Sequence, residues 1–477
     1  MLKTKSSITE GPIFIRILLF ALPVIATGVL QLCYNMADNI VVGRFSGDPN
    51  ALGAVGATAN ITGLIVNFMV GLAGGATIIV AQFYGAKKER MVSRAVHTGV
   101  IFSVICGVVF MAISLIFCRP ILEITNTPEN IIDASEIYLR IICYGIPAVS
   151  VYNLAAAVLR AVGDSRTPLI VLSLSGLLNV GFNLVFVILF HMSVAGVALA
   201  TVISQYASAV ALIVVLMARK HECYGLSREK LCFDRKLLGR IMGLGFPVAL
   251  QSTMYSISNL LIQVATNGLA STIPTAVTAK TIAGNIDNIT YIVMNGFFHA
   301  TLTYTGQNYG AGKIGRLRKV LYYSLIQVTV LGIAVGLLEL LFARELSSLF
   351  IAADDPSREA VIESVIEIMR IMLTTYFLCG IMEVFLGFLR GLGYSTMSMI
   401  ISLIGGCGLR ILWVLFVFPI PEFYNLTGLM LVYPATWVPS NIAFAVASYL
   451  AVRKLKRALK PTESGELAGR DTESAFT

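Results

Sequence analysis

Asp38 is the residue whose surroundings in the sequence most clearly indicate a chemical role. It stands in an apolar segment with Gln31 and Tyr34, and the spacing i, i+3, i+7 places all three on one face of a helix. A carboxylate held away from water is costly unless it is paired, hydrated, protonated or bound to a cation. We therefore expect Asp38 to take up a proton or Na⁺. The alternative is a neutral aspartic acid that hydrogen-bonds between helices.

Two asparagines and a threonine stand in later apolar segments of the same half of the chain. Asn179 and Asn183 are four residues apart and so share a helix face, and Thr201 lies in the following segment. Amide and hydroxyl oxygens are ligands that hard cations accept without an added charge. The alternative role for such asparagines is to bridge helices through hydrogen bonds of about 1 kcal/mol each.

Two acids, Asp287 and Glu383, interrupt apolar segments in the second half of the chain. Lys280 lies seven residues before Asp287 on the same helix face. Either Lys280 reaches toward the membrane interface and partly neutralises Asp287, or the pair lines a cavity and exchanges partners with a cationic substrate. The residues that we predict to line a substrate cavity are Gln31, Tyr34, Asn153, Tyr255, Lys280, Asp287, Met294 and Glu383.

The composition shows what kind of protein positions these residues. The chain has 477 residues, of which 57% are hydrophobic and 13% are charged, whereas soluble domains are about a quarter charged. So few charges do not cover the surface of a compact soluble fold. The eight cysteines match no disulfide or zinc pattern, and no His-Glu-x-x-His or similar cluster indicates an enzyme. The composition therefore predicts an all-α integral membrane protein.

Twelve apolar segments are long enough to cross a bilayer, which takes about 20 residues. We number them spans 1 to 12 in chain order: 14–43, 52–80, 95–118, 133–159, 168–190, 194–218, 238–268, 276–304, 320–343, 361–389, 396–419 and 426–452. Of the 35 Lys and Arg residues, 27 fall in the termini and loops of one side and four in the loops of the other. The positive-inside rule then places both termini in the cytoplasm. We expect the protein to lie in the plasma membrane. The net charge of +9 thus reports topology, and we expect no nucleic-acid partner.

The chain aligns with itself when it is shifted by about 225 residues. The run Gln82 to Ala86 falls on the run Gln307 to Ala311, and Pro23 falls on Pro247 at a shift of 224. Six spans in each half give two bundles that point the same way, an arrangement typical of secondary transporters with a substrate site between the repeats. The predicted units are two pseudo-symmetric six-helix bundles at 1–220 and 238–455, a basic cytoplasmic linker at 221–237 and a disordered cytoplasmic tail at 456–477.

Taken together, these features resemble the multidrug and toxic compound extrusion (MATE) family over about residues 12 to 455. The motifs that carry the resemblance are the first span with Pro23, Gln31, Tyr34 and Asp38, the two Gln-x-x-Gly-Ala loops, and the Leu-Arg-x-x-Gly turns at Leu159 and Leu389. The resemblance implies an antiporter that exports organic cations or other amphipathic drugs and metabolites in exchange for Na⁺ or H⁺ by alternating access.

The resemblance also implies that Asp38 is the coupling aspartate and that Asn179, Asn183 and Thr201 complete its cation site. Asp38 and Asn183 are then the expected Na⁺ ligands. Some family members carry an aspartate where this chain has Asn183, so the choice between Na⁺ and H⁺ stays open. The two halves differ at this face, because the 224-residue shift places Ile262 opposite Asp38.

We expect no cofactor and no ATP site, because the sequence contains no Walker A motif. The expected partners are a small-molecule substrate, an organic cation in the first instance, and the lipid bilayer. The oligomeric state stays open. One alternative function is a flippase of lipid-linked saccharides, which needs a cationic cavity, whereas only Lys280 and Arg410 are expected inside the spans. A channel is the other alternative, and measured uphill transport would exclude it.

Overall fold

The computed structural model describes residues 8–47, 50–125, 127–352 and 354–458, and these residues form helices and contain no strand. The predicted spans correspond to helical segments, some of them composed of two or more helices. In the order of spans 1 to 12 their bounds are Ile13–Phe45, Ala51–Gly85, Glu89–Ile124, Glu129–Tyr144 with Ile146–Ala161, Arg166–Leu189, Ser193–Ala218, Arg235–Leu269, Ala276–Gly310, Ile314–Leu341, Arg358–Thr375 with Phe377–Gly391, Ser395–Val417, and Leu426–Met430 with Val432–Ala458.

The spans differ in how apolar they are. Eight helices of the described chain are long and apolar enough to cross a membrane unaided, and spans 4 and 10 bring the number to ten when each bent pair is taken as one span. Spans 7 and 8 are equally long but more polar. Span 7 packs against span 2, and span 8 packs against spans 1 and 2, so much of their surface is covered by protein and not by lipid. Protein-covered helices tolerate polar residues that lipid-facing helices do not.

Spans 4 and 10 occupy equivalent places in the two halves, and both are bent. The bend in span 4 is 45° and the bend in span 10 is 43°. Span 4 breaks at Gly145, and Pro147 starts its second helix, where a missing N–H does no harm. Span 10 breaks at Tyr376 without a proline. The paired bends support the predicted two-bundle architecture.

Span 2 and span 7 form the most extensive helix contact between the two halves. Two glycines make their close approach possible. A Cβ atom added at Gly71 would lie 2.4 Å from the Cα of Ala249, and one at Gly75 would lie 2.2 Å from the carbonyl oxygen of Ile241. The two backbones therefore touch here, and any larger residue would force them apart.

Two glutamines at equivalent positions of the internal repeat, Gln82 and Gln307, connect the halves near the ends of spans 2 and 8. Gln82 Nε2 donates to the carbonyl oxygen of Gly391 at 2.9 Å, and Gln307 Nε2 donates to that of Ala161 at 2.6 Å. Both glutamines are buried. Each bond joins the end of one half's second span to the end of the other half's fourth, so the contacts are reciprocal.

The predicted linker is bound to span 3. His97 is fully buried, and its Nε2 lies 3.1 Å from both the backbone nitrogen and the carbonyl oxygen of Ser227. Thr98 Oγ1 accepts from the backbone N–H of Asp234, whose carboxylate pairs with Arg94 at 2.7 Å. Helix Val432–Ala458 extends into the predicted tail, so residues 456–458 are helical, which corrects the prediction of disorder for them. Residues 459–477 lie outside the described chain.

Candidate functional site

Asp38, Asn179, Asn183 and Thr201 meet in the first half, and their side chains form a closed ring of hydrogen bonds. Asn183 Nδ2 donates to Asp38 Oδ1 at 2.5 Å and to Asn179 Oδ1 at 3.3 Å. Asn179 Nδ2 donates to Thr201 Oγ1 at 3.3 Å. Thr201 Oγ1 in turn donates to Asp38 Oδ2 at 3.4 Å. The structure therefore brings together the four residues that were predicted to form a cation site.

The ring leaves one buried oxygen without a hydrogen-bond donor. Asn183 is fully buried and its Oδ1 has no partner among the described residues, while Asp38 itself is half-buried. A buried acceptor without a donor costs about 1–3 kcal/mol, so the site favours an added positive charge or proton donor. One carboxylate and three neutral oxygens from an amide pair and a hydroxyl are the donor set of a hard monovalent cation.

The local fold of spans 1, 5 and 6 explains how these side chains meet. Asn179 and Asn183 lie one turn apart on the face of span 5 that packs on spans 1 and 6. The regular helix ends at Leu184, and a π-helical segment, Val185–Leu189, follows immediately. Single π-turns inside α-helices are frequently found at functional sites. Beyond the ring lies a buried cluster of small aliphatic residues, which includes Val41 and Val187.

Gln31 and Tyr34 were predicted to share the helix face of Asp38 and to line a substrate cavity, and each has surroundings of its own. The hydroxyl of Tyr34 donates to the carbonyl oxygen of Ser173 at 3.1 Å, and its ring packs on Gly176 of span 5. Gln31 is exposed. Tyr34 thus joins span 1 to span 5, which are the two spans that carry Asp38 and Asn183.

Lys280 and Asp287 lie on span 8 and interact at a distance. Their charges influence each other, but their side chains form no ion pair within 4 Å among the described residues. The Nζ atom of Lys280 lies over the ring of Tyr433 on span 12, at 5.5 Å from its centroid. Lys280 and Asp287 are thus not a direct ion pair, and the choice between partial neutralisation by Lys280 and a shared cavity stays a prediction.

Glu383 and Tyr255 are neighbours in the interior of the second half. Glu383 is 92% buried on the second helix of span 10. The Tyr255 hydroxyl lies 3.9 Å from the sulfur of Met382, and its ring packs on Gly406 of span 11. This acid and this phenol therefore belong to one polar group between spans 7, 10 and 11.

Asn153 and Met294 do not join that group. The side-chain amide of Asn153 donates to the carbonyl oxygen of Val149 in its own helix at 2.9 Å. Met294 is fully buried and packs against Gly332 and Gly380, between spans 8, 9 and 10. In this conformation Met294 serves helix packing, and its role in a cavity stays a prediction.

The comparison with known families is decided by two matches. The sequence profile of the MatE family matches residues 23–185 and again residues 247–415. The chain belongs to the MatE family. The two matches begin 224 residues apart and end 230 residues apart, as the internal repeat predicted. Each half of this MatE protein therefore carries one copy of the family's repeat, and the chain is a multi-pass membrane transporter of that family.

Individual MatE relatives resemble the chain over most of its length. It is 28% identical over 428 residues to the probable multidrug resistance protein YoeA of Bacillus subtilis, covering 88% of this chain and 90% of YoeA. It is 26% identical over 397 residues to the probable multidrug resistance protein NorM of Thermotoga maritima, covering 80% and 81% of the two chains. These matches do not favour the flippase or channel alternatives.

Solved MatE structures share the fold. A crystal structure of MATE in complex with MaL6 superposes with a TM-score of 0.85 at 20% identity, covering 95% of this chain and 100% of the other. An outward-facing conformation of a multidrug resistance MATE family transporter superposes with a TM-score of 0.84 at 20% identity, covering 96% and 100%. The twelve-span, two-bundle architecture is thereby confirmed.

Three charged residues in the interior of this MatE protein were missed by the sequence analysis. Arg160 and Arg390 were assigned to loops, but both lie in the last turn of a helix, and Arg390 is 95% buried and donates to Gln251 Oε1 at 2.8 Å. Glu339 of span 9 is 94% buried and adjoins Thr290 of span 8. The available signal was an acid flanked by Leu338 and Leu340.

Proposed function

We propose that the protein is a secondary antiporter that exports amphipathic organic cations in exchange for Na⁺ or H⁺. The observation that supports the proposal is the closed ring around Asp38. Its carboxylate is held by an amide and a hydroxyl and not by a base, so it keeps the capacity to bind a cation. A permanent Lys or Arg partner would have removed that capacity.

The proposed orientation has both termini in the cytoplasm of a cell whose plasma membrane holds the protein. The reciprocal bonds of Gln82 and Gln307 lie at the ends of spans 2 and 8, next to the basic loops that the positive-inside rule assigns to the cytoplasm. In this orientation the conformation described here is closed on the cytoplasmic side. An exporter in this state releases substrate outward and takes up its coupling ion from outside.

Coupling requires that ion binding change the shape of span 1. Pro23 lies within this helix and removes one hydrogen bond of its ladder, which weakens the helix at that point. Thr27 Oγ1 donates to the carbonyl oxygen of Pro23 at 2.7 Å. When Asp38 takes up a cation, its bonds to span 5 and span 6 rearrange, and span 1 bends at Pro23. A substrate bound against span 1 then loses contacts and leaves.

The proposed substrate face in the second half contains both acid and aromatic groups. Glu383 lies beside Tyr255, and Asp287 lies one turn from Tyr291. Buried carboxylates attract organic cations, and aromatic rings stack on flat apolar bodies. These groups suit a planar amphiphile with a positive charge.

The direct test is uptake of tetramethylrhodamine methyl ester, a fluorescent cation, into everted membrane vesicles, whose cytoplasmic face is outside. Na⁺ and pH gradients are imposed separately on vesicles with the native chain, Asp38→Asn, and Glu363→Gln, which changes an exposed acid of span 10. We expect one gradient to drive uphill movement by the native chain and by Glu363→Gln, and Asp38→Asn to lose at least tenfold in rate. Normal gradient-driven transport by Asp38→Asn would show that Asp38 is structural.

A loss of folding is separated from a loss of coupling by two further measurements. Thermal unfolding of purified Asp38→Asn should stay close to that of the native chain, because Asn restores a hydrogen-bonding side chain of the same size. Downhill counterflow of the dye, which needs no ion gradient, should persist in this variant. Loss of counterflow together with a lower melting temperature would point to misfolding.

A further inference from the structure

Two basic side chains in the second half lie over the same aromatic ring. The Nζ atom of Lys280 on span 8 is 5.5 Å from the ring centroid of Tyr433, and the guanidinium carbon of Arg410 on span 11 is 5.0 Å from it. Arg410 also lies over the ring of Tyr255, at 6.0 Å. Lys280 and Arg410 are close enough to repel each other. Spans 7, 8, 11 and 12 thus converge on a pair of like charges.

Arg410 is buried without a counter-charge. It is 96% buried, its NH1 donates to the side-chain oxygen of Asn259 at 2.8 Å, and its Nε has no acceptor in the described chain. All of the ion pairs formed by the described residues lie elsewhere in the molecule. A buried charge that lacks a paired ion destabilises the fold. An anionic group of a ligand would supply the missing counter-charge.

The acids nearest to this pair leave it incompletely neutralised. Asp287 acts on Lys280 from the same helix, and Glu383 acts on Tyr255 from span 10, but neither carboxylate forms an ion pair with Lys280 or Arg410. Positive and negative groups therefore stand side by side within one polar interior. That arrangement fits a ligand that carries both charges.

The backbone of span 11 is irregular on both sides of Arg410. One π-helical segment, Leu403–Gly408, ends two residues before it, and another, Trp413–Val417, begins three residues after it. Span 5, which holds a similar place in the first half, has its own π-segment just after Asn183. In the first half, span 5 meets an acid on span 1. In the second half, span 11 meets Asn259 on span 7 and presents a base. The equivalent helix pairs thus offer opposite charges.

We propose that Lys280, Arg410 and Tyr433 form a receptor for the carboxylate of a zwitterionic aromatic amphiphile. The inference rests on the proposed export function and specifies its substrate class. The guanidinium supplies two parallel N–H donors that match a carboxylate, and Lys280 adds a second positive charge beside the same ring. The cationic end of the same ligand lies toward Glu383 and Asp287. Planar amphiphiles with both charges therefore bind more tightly than cations alone.

Equilibrium binding of two dyes to the full-length protein in lipid nanodiscs tests this receptor. Tetramethylrhodamine has a free carboxylate, and its methyl ester differs only in lacking that charge. Fluorescence polarisation gives a Kd for each dye. We expect the native chain to bind the carboxylate form at least tenfold more tightly than the ester, a difference of about 1.4 kcal/mol.

Variants of Arg410 and Lys280 show which side chains cause the tighter binding of the carboxylate dye. Arg410→Gln and Lys280→Gln together should abolish the tenfold ratio of the two Kd values, because no base remains to face the carboxylate. Arg410→Lys should keep part of the ratio, since it keeps the charge and loses the planar fork. Arg370→Gln, which changes an exposed arginine of span 10, should leave the ratio at its native value.

Three outcomes would overturn the receptor: equal Kd values for the two dyes in the native chain, an unchanged ratio in the double variant, or an equal weakening of both dyes by Arg410→Gln. The last outcome would show that Arg410 only supports the packing of spans 7 and 11. Binding at equilibrium needs no ion gradient, so these results stand apart from the vesicle experiment. Failure of gradient-driven efflux with a preserved Kd ratio would reject the antiporter and retain the receptor.

Discussion

Asn183 combines two roles at the residue scale. Its nitrogen donates to Asp38 and Asn179, and its oxygen stays buried without a donor. An aspartate at this position would place two carboxylates together and demand a cation or proton at all times. Asparagine instead orients Asp38 and supplies a neutral ligand. In the proposed antiporter the charge of the site then depends on whether Asp38 holds a cation or proton.

Replacing Asn183 with leucine tests the ligand role. Leucine fills nearly the same volume but removes both the oxygen ligand and the hydrogen bond to Asp38, each worth about 1 kcal/mol. In a Na⁺-coupled exporter we expect Na⁺ affinity to fall at least tenfold, measured by isothermal titration calorimetry of the purified protein with NaCl. Asn35→Leu, an exposed position on span 1, is the matched control. Native Na⁺ affinity in Asn183→Leu would exclude this residue as a ligand.

The residues around Asp38 illustrate what sequence reasoning can find. Asp38 and Asn183 were identified because an acid and a helix-spaced amide pair are rare in apolar segments. Arg160 and Arg390 escaped because an apolar run ends at the first charge, so a buried charge in the last turn of a helix resembles the start of a loop. The pairing of Arg410 with Tyr433 escaped because it joins residues of different spans.

At the scale of the helices, too, the sequence predicts some features and does not predict others. The positions of the twelve spans follow from apolar length, and the bend of span 4 follows from Gly145 and Pro147. The π-segments of spans 5 and 11 have no such signature. A π-turn depends on how one helix packs against its neighbours. The periodic pattern of apolar residues in the sequence contains no information about that packing.

Asp164 determines how span 5 begins. Its carboxylate accepts from the backbone N–H groups of Arg166 and Thr167 at 3.2 and 3.0 Å, and from Arg219 at 2.8 Å. Burial alone would raise the pKa of Asp164, but the hydrogen bonds from Thr167 and Arg219 outweigh it, and the net pKa is lowered. The charged carboxylate therefore stabilises the folded state.

Replacing Asp164 with alanine should lower stability by about 1 kcal/mol, as loss of a helix cap does. Because the folded pKa is depressed, the difference from the native chain should be fully present at neutral pH, where the unfolded carboxyl is also ionised. It should shrink as the pH falls through the ordinary range for aspartate and vanish below the folded pKa. Thermal unfolding across this pH series measures it, with Glu229→Ala in the exposed linker as control. A pH-independent difference would assign the effect to packing.

At the scale of the whole molecule, hydrogen bonds and close backbone contacts both join the two halves, and backbones meet beside the glutamines too, where a Cβ at Gly85 would lie 2.0 Å from the carbonyl oxygen of Gln307. The reciprocal glutamine bonds are polar and can be broken and remade at small cost. The glycine contact between spans 2 and 7 brings two backbones together and has little freedom. In the proposed alternating-access cycle we expect the molecule to open at the glutamines and to pivot near Gly71 and Gly75.

Changing Gln82 and Gln307 to leucine together should favour the conformation open on their side. Two hydrogen bonds of about 1 kcal/mol each shift the equilibrium roughly thirtyfold. Spin labels at Arg90→Cys and Arg318→Cys, the exposed starts of spans 3 and 9, report the separation by electron-spin distance measurements. The fraction with the longer distance should increase. Gln263→Leu, whose amide bonds within span 7, is the control and should keep the native distribution.

A single methyl group distinguishes a pivot from an ordinary helix face on span 2. Gly63 has open space where a Cβ would stand, so Gly63→Ala should raise the melting temperature through an improved helix propensity of about 0.5–1 kcal/mol. Gly75→Ala gains the same propensity but forces a Cβ to 2.2 Å from the carbonyl oxygen of Ile241. Overpacking of this kind costs about 1–3 kcal/mol, so its melting temperature should fall. It should also slow transport by keeping spans 2 and 7 apart. Equal melting temperatures for the two variants would mean that the halves have room to separate at Gly75, and the pivot would have to lie elsewhere.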